Sequence, residues 1–165
     1  MKLTRGAYRT FLDSTFGGTG TPKWWRIGKN NDSMSVALNP DVSTNKNIWD
    51  ETYVEDNGYE PSIEDITYYA DPTDAIYPMI RDIAMNRLRG DECKTTILEV
   101  IIEDTEKTNH RAWTENVVIK TSEYGGGTDG FTIPFTIYFD GSRKKGYVTI
   151  ESGAPSFKEG EIPLT

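Results

Sequence analysis

The stretches KTTILEVIIE (residues 94–103) and FTIPFTIYF (131–139) constrain the fold most, because their apolar side chains recur at every second residue. A period of two sends alternate side chains to opposite faces of an extended chain, whereas a helix repeats every 3.6 residues. In the first stretch Thr96, Leu98, Val100 and Ile102 share one face, and Ile97, Glu99, Ile101 and Glu103 the other. In the second, Phe131, Ile133, Phe135, Ile137 and Phe139 line a single face. Pro134 lacks the amide hydrogen of a regular ladder, so its strand belongs at an edge or carries a bulge.

KWWRIG (23–28), SMSVAL (33–38), RAWTENVVIKT (111–121) and KKGYVTIE (144–151) read as further strands, with Asp140-Gly141 as a turn before the last. IWDETYVE (48–55) and YEPSIEDITYY (59–69) flank Asn57-Gly58, a pair suited to a type I′ turn, which predicts a hairpin over residues 47–70. It is acidic on both faces, so it is expected to project from the domain. One helix is predicted over 72–89. Asp71 caps it, Pro72 lies in its first turn, and Gly90 follows its end. Ile76, Met79, Ile80, Ile83, Ala84 and Leu88 form its apolar stripe. The expected fold is mainly β: a β-sandwich or partial barrel of about seven or eight strands with one packed α-helix. Residues 1–22, with Gly6, Gly17, Gly18 and Gly20 and little periodicity, read as an N-terminal arm. Residues 23–151 read as the domain and 152–165 as an extended C-terminal arm.

Charge is distributed unevenly. The chain of 165 residues carries a net charge of −8, but residues 1–46 hold seven bases against three acids. Residues 47–80 hold nine acids and no lysine or arginine. A basic front and an acidic middle attract each other, within a chain or between copies. Specific DNA binding needs clustered cations, which an acidic chain of this kind does not advertise. The single cysteine, Cys93, excludes an intrachain disulfide and fits a buried thiol in a reducing cytosol. No run of 18 apolar residues is present, so no membrane span is expected, and the N-terminus lacks the apolar core of a signal peptide.

No catalytic constellation emerges. The one histidine, His110, sits in a polar stretch, and Gly125–Gly127 lack the Lys-Ser/Thr that completes a phosphate-binding loop. Carboxylates are too numerous for any one pair to mark a glycosidase. No metal or cofactor is expected. The informative feature is a distribution: an acidic projecting hairpin, and strands whose second faces also carry apolar residues, as expected of a chain that buries them against other copies.

WWRIG (24–28), NPDVSTNKNIWDE (39–51), GYEPSIE (58–64), the aspartate-led helix and KKGYVTIESGAPSFKEG (144–160), in this order and spacing, resemble the major tail (tail tube) proteins of long-tailed siphophages, within the phage tail tube superfamily. The resemblance covers most of the chain. It implies a hexameric ring whose inner strands join into one continuous β-barrel, rings stacked into a tube, and DNA passing through without specific binding. It also implies terminator, tape measure and distal tail proteins as partners, and a place in the virion tail after assembly in the host bacterial cytoplasm. In such a tube an acidic bore repels DNA phosphates. Asp50, Glu51, Glu55, Glu60, Glu64 and Asp65, with Glu99 and Glu103, are the expected lumen-facing acids. Lys2, Arg5, Arg9, Lys23, Arg26 and Lys29 are the expected ring-stacking contacts. The alternatives are the tube of a contractile tail or tail-like bacteriocin, a carbohydrate-binding β-sandwich using Trp and Tyr, and, last, a hydrolase.

Overall fold

The computed structural model describes residues 1–18 and 20–163. The chain is mainly β, as the alternation predicts. Seven antiparallel strands form a curled sheet in the order β2-β1-β6-β7-β8-β5, with β9 also paired to β8. These are β1 (Tyr8–Asp13), β2 (Trp24–Arg26), β5 (Ser62–Ile66), β6 (Lys94–Ile101), β7 (Asn109–Thr121), β8 (Phe135–Glu151) and β9 (Ala154–Glu159). β3 (Pro40–Lys46) and β4 (Thr52–Tyr59) form a separate two-stranded hairpin. The sheet curls into a half-barrel. The one α-helix of the described residues, α1 (Tyr77–Met85), packs beside it.

Curling gives the sheet two cores. Ile97 and Leu12 lie in a cluster with Ile80, Ile83, Val117, Phe135 and Ile137, where α1 packs. Their strand neighbours Leu98 and Phe11 point the other way, into a second cluster with Val100, Ala112 and Val148, which Trp24 and Phe157 help to cover. Gly146 is required at this second core. A Cβ there would collide with the Lys158 carbonyl oxygen and come within 2.6 Å of the Phe157 ring. Burying a large apolar side chain is worth about 1.5–3 kcal/mol, so both clusters stabilise the sheet, one on each face.

Several expected boundaries move. Residues 8–13 are not an arm but the interior strand β1, held between β2 and β6. Its partner in β6 lies far along the chain, and local periodicity cannot register such a pairing. The expected C-terminal arm likewise contains β9, returned onto β8 by a turn with positive φ at Ser152 and Gly153. Thr19 of the first arm and the last two residues of the second lie outside the described residues. SMSVAL forms no strand beyond the single bridge Ala37–Ser62, although Met34 and Val36 pack against the first core.

Asp140-Gly141 is not a turn. β8 runs through it for 17 residues, and the register against β7 shifts there. The Gly141 amide donates to Glu115 Oε2 at 3.2 Å, so a side chain takes up an amide that the bulge displaces. α1 is shorter than predicted. Asp71 Oδ1 instead accepts from the Thr73 amide and hydroxyl, closing a turn before the helix, and Pro78 occupies the first helical turn. The helix ends at Met85 with Asn86 as its cap, Arg87 beyond it takes positive φ, and the Leu88 amide donates to the Ile83 carbonyl. That is a Schellman closure, so Gly90 is not the terminator.

The projecting hairpin is real but shifted. β3 pairs with β4 from Pro40–Tyr59 to Lys46–Thr52, so the hairpin covers 40–59 rather than 47–70. Asn57-Gly58 sits inside β4 as a bulge, with Gly58 at positive φ and its amide donated to Asp56 Oδ1. The same φ freedom that suits a type I′ turn also suits a bulge, and the β-branched Val42 and Thr44 gave β4 a partner upstream. β5 leaves the hairpin and pairs with β8 instead.

Candidate assembly surface

A charge network of two buried carboxylates and a partly exposed guanidinium crosses the sheet. The Tyr8 hydroxyl donates to Glu99 Oε2 at 2.6 Å. Arg143 Nη1 donates to Glu99 Oε1 at 2.9 Å and to Glu115 Oε1 at 3.1 Å. Four strands supply these groups: Tyr8 on β1 lies opposite Ile101, two residues along β6 from Glu99, Glu115 follows on β7 opposite Ile97, and the β8 bulge beside Glu115 brings Arg143 across. The Arg143 guanidinium also lies over the Trp113 ring. Burial acts against its charge, but hydrogen bonds and attraction to Glu99 and Glu115 outweigh that and hold it more firmly protonated. The Tyr8 phenol is pushed well up by burial, then by the Glu99 charge and hydrogen bond.

This placement corrects one expected lumen acid. Glu99 is buried, and both its oxygens are engaged within the chain, so it presents no free charge to a bore. An acid flanked by Leu98 and Val100 on a face shared with Ile97 and Ile101 signals an internal partner. The sequence reading missed Tyr8 and Arg143, which supply that partner from β1 and β8, and Glu115 on β7, the second carboxylate that Arg143 holds.

Above the network runs a groove of about 540 Å³, bordered by Met34, Val36, Leu38, Tyr59, Phe139 and Arg5. Next to it lies a pocket of about 440 Å³ whose lining includes Arg5, Arg9, Arg26 and Lys29, with Asp32 as the one acid. Arg5, Tyr8 and Met34 line both. Thus the fold brings together four of the six expected stacking cations, whereas Lys2 and Lys23 are exposed but line neither hollow. Arg5 is fixed at the boundary: its Nη1 donates to the Tyr8 carbonyl at 2.8 Å and its Nη2 to the Met34 carbonyl at 3.0 Å. The cations repel one another. Partial burial, then the Arg9 and Arg5 charges, push Arg26 below its ordinary value. Burial and then Arg9 lower His110, which is half-buried on β7 rather than free in a loop.

The remaining expected acids are exposed and scattered. Glu55 lies on β4 and Glu60 just beyond it. Glu64 and Asp65 bulge from β5 opposite Thr136, at the edge of the sheet, where charge also discourages unwanted strand pairing. Glu103 pairs with Arg111 at 3.3 Å on the surface. Asp50 and Glu51 stand at the hairpin tip beside Ile48 and Trp49, which are 97% and 76% exposed. The tip is ordered by Asn47, whose Oδ1 accepts from the Trp49 amide at 2.9 Å and the Glu51 amide at 3.1 Å.

Among the described residues no three His, Cys, Asp or Glu side chains converge to hold a metal ion, and no helix is long and apolar enough to cross a membrane. No protein-family model and no curated protein matches the chain. Among solved structures, the chain is similar to the sheath/tube terminator of an extracellular contractile injection system (PVC), determined by cryo-EM in the extended state. The TM-score is 0.52 at 11% identity, over 86% of this chain and 94% of that one. At that identity the likeness establishes a shared fold over most of both chains.

Proposed function

We propose that the chain is a structural subunit of a tail-like tube, in which six copies close into a ring and their sheet edges join around a central bore. The observation that carries this reading is the end-to-end fold likeness to a tube terminator. The projecting hairpin supports it, since both its strands are largely uncovered by the rest of the chain. The assembly is the tail of a long-tailed phage, non-contractile, and the bore conducts DNA. Tape measure, distal tail and terminator proteins are its partners. The role is architectural rather than catalytic. Exposed acids then serve the bore: Glu64 and Asp65, which bulge from the edge strand β5, are the best placed of the set, with Glu55, Glu60 and Glu103 as further candidates and Glu99 removed. Each becomes a ring of six negative charges that discourages phosphate adhesion.

A second reading has a specific observation behind it: the fold neighbour is a terminator. In that reading the chain forms one capping ring, at the end of a contractile or a non-contractile tube. Native mass spectrometry over a concentration series separates the two. A tube subunit gives a species of six chain masses that grows into longer stacks as concentration rises. A terminator stops at one ring. A chain that stays at the mass of a single copy at every concentration contradicts both.

A further inference from the structure

We propose that the hairpin tip of one copy docks into the Arg5-centred groove of the next, with Ile48 and Trp49 in the apolar part and Asp50 and Glu51 against Arg9, Arg26 and Lys29. This rests on the self-assembly reading above and names the contact that performs it.

Three observations select a second copy as the occupant. The first is the tip itself. Side-by-side Ile48 and Trp49 are almost wholly exposed, yet Asn47 holds their loop in one shape. An ordered, solvent-facing tryptophan is the usual form of an interface anchor, and pre-ordering lowers the entropy lost on binding. The second is charge. The tip carries Asp50 and Glu51 with no base within the loop, and the pocket gathers four cations against Asp32. The groove lining carries no net negative charge against an acidic visitor, because Arg143 and Arg5 together offset Glu99 and Glu115.

The third is reach. Leu38, Tyr59 and Pro61 line the groove, so it lies at the base of the chain's own hairpin. β3 spans seven residues from base to tip, a rise of about 23 Å. A paired ladder cannot fold back over that distance, so a tip seated in a groove belongs to a different molecule. Tip and groove are different surfaces, and each copy owns one of each. Such a head-to-tail contact repeats, closing into a ring or continuing as a stack.

A charge exchange tests this on the full chain. Asp50→Lys with Glu51→Lys makes a tip-reversed chain, and Arg26→Glu with Lys29→Glu makes a pocket-reversed chain. All four positions are exposed, so folding is checked by circular dichroism. Each reversed chain alone is expected to need about tenfold more protein for half-assembly. An equal mixture is expected to recover assembly, because the reversed tip then meets the reversed pocket in strict alternation. A disulfide trap reads the contact without relying on assembly. Trp49→Cys on one chain and Ser35→Cys on another should cross-link only when mixed, since the native Cys93 is fully buried. Wild-type rings that form normally while the reversed chains also assemble, with no cross-link, overturn the docking and leave the tube reading standing. A cross-link that forms although no ring ever does upholds the docking and sinks the tube reading.

Discussion

Tyr8 donates its hydroxyl hydrogen to Glu99 at 2.6 Å, joining two residues 91 positions apart in sequence. The bond ties the N-terminal strand to the centre of the sheet. It belongs to a network in which Arg143 serves two buried carboxylates at once. Arg143→Ala should therefore cost more than a surface ion pair would. It leaves Glu99 and Glu115 buried together without a cation, a loss of about 3 kcal/mol, at the low end for buried pairs because Arg143 is partly exposed. Tyr8→Phe should cost about 1.5 kcal/mol, the scale of a hydrogen bond to a charged group. Urea melts of the three chains measure both.

Alkaline pH should loosen the fold through Tyr8 and Tyr68. Burial, then the charge and hydrogen bond of a carboxylate (Glu99 for one, Asp74 for the other), raise both phenols well above their ordinary value of 10.0. The folded chain then keeps protons that the unfolded chain releases. Stability from this source is complete below about pH 10 and falls as pH rises beyond it. Tyr8→Phe and Tyr68→Phe should each flatten that decline. Stability measured along an alkaline series, beside an absorbance titration of the phenols, checks the sign.

Gly146→Ala should detach β9 without unfolding the sheet. The added methyl group has no room between the Lys158 carbonyl and the Phe157 ring. Amide exchange should accelerate across Ala154–Glu159 and remain slow in β6 and β7. Uniform acceleration would mean that β9 is integral to the second core rather than an edge laid upon it.

Asn47→Ala should leave the hairpin paired but free its tip. The Trp49 and Glu51 amides lose their shared acceptor, and their exchange should approach that of an unstructured loop. Assembly should weaken as well, because the anchor must then be ordered on binding.

The sequence disclosed what local periodicity can carry. Alternation in 94–103 located β6, the strand reading of 111–121 located β7, and the i, i+3, i+4 stripe located α1. It could not disclose β1, because TRGAYRTFLD owes its strand to β6, far along the chain, and buries both faces at Phe11 and Leu12. Asn57-Gly58 and Asp140-Gly141 marked real backbone irregularities. Each proved to be a bulge inside a strand, since positive φ at glycine serves a bulge as well as a turn. The basic cluster was half legible. The cations were visible, but only the β1–β2 pairing and the 28–34 loop bring Arg5, Arg9, Arg26 and Lys29 to one pocket. The Glu99 network was not legible, because Tyr8, Glu115 and Arg143 meet it from three strands.

The measurement that bears most directly on the whole account is negative-stain electron microscopy of the full chain, concentrated and at raised salt to screen its net charge of −8. Hollow rings with six-fold symmetry, alone or stacked, are expected. Particles without a central bore, or monomers that persist at high concentration and with tail partners added, would contradict it.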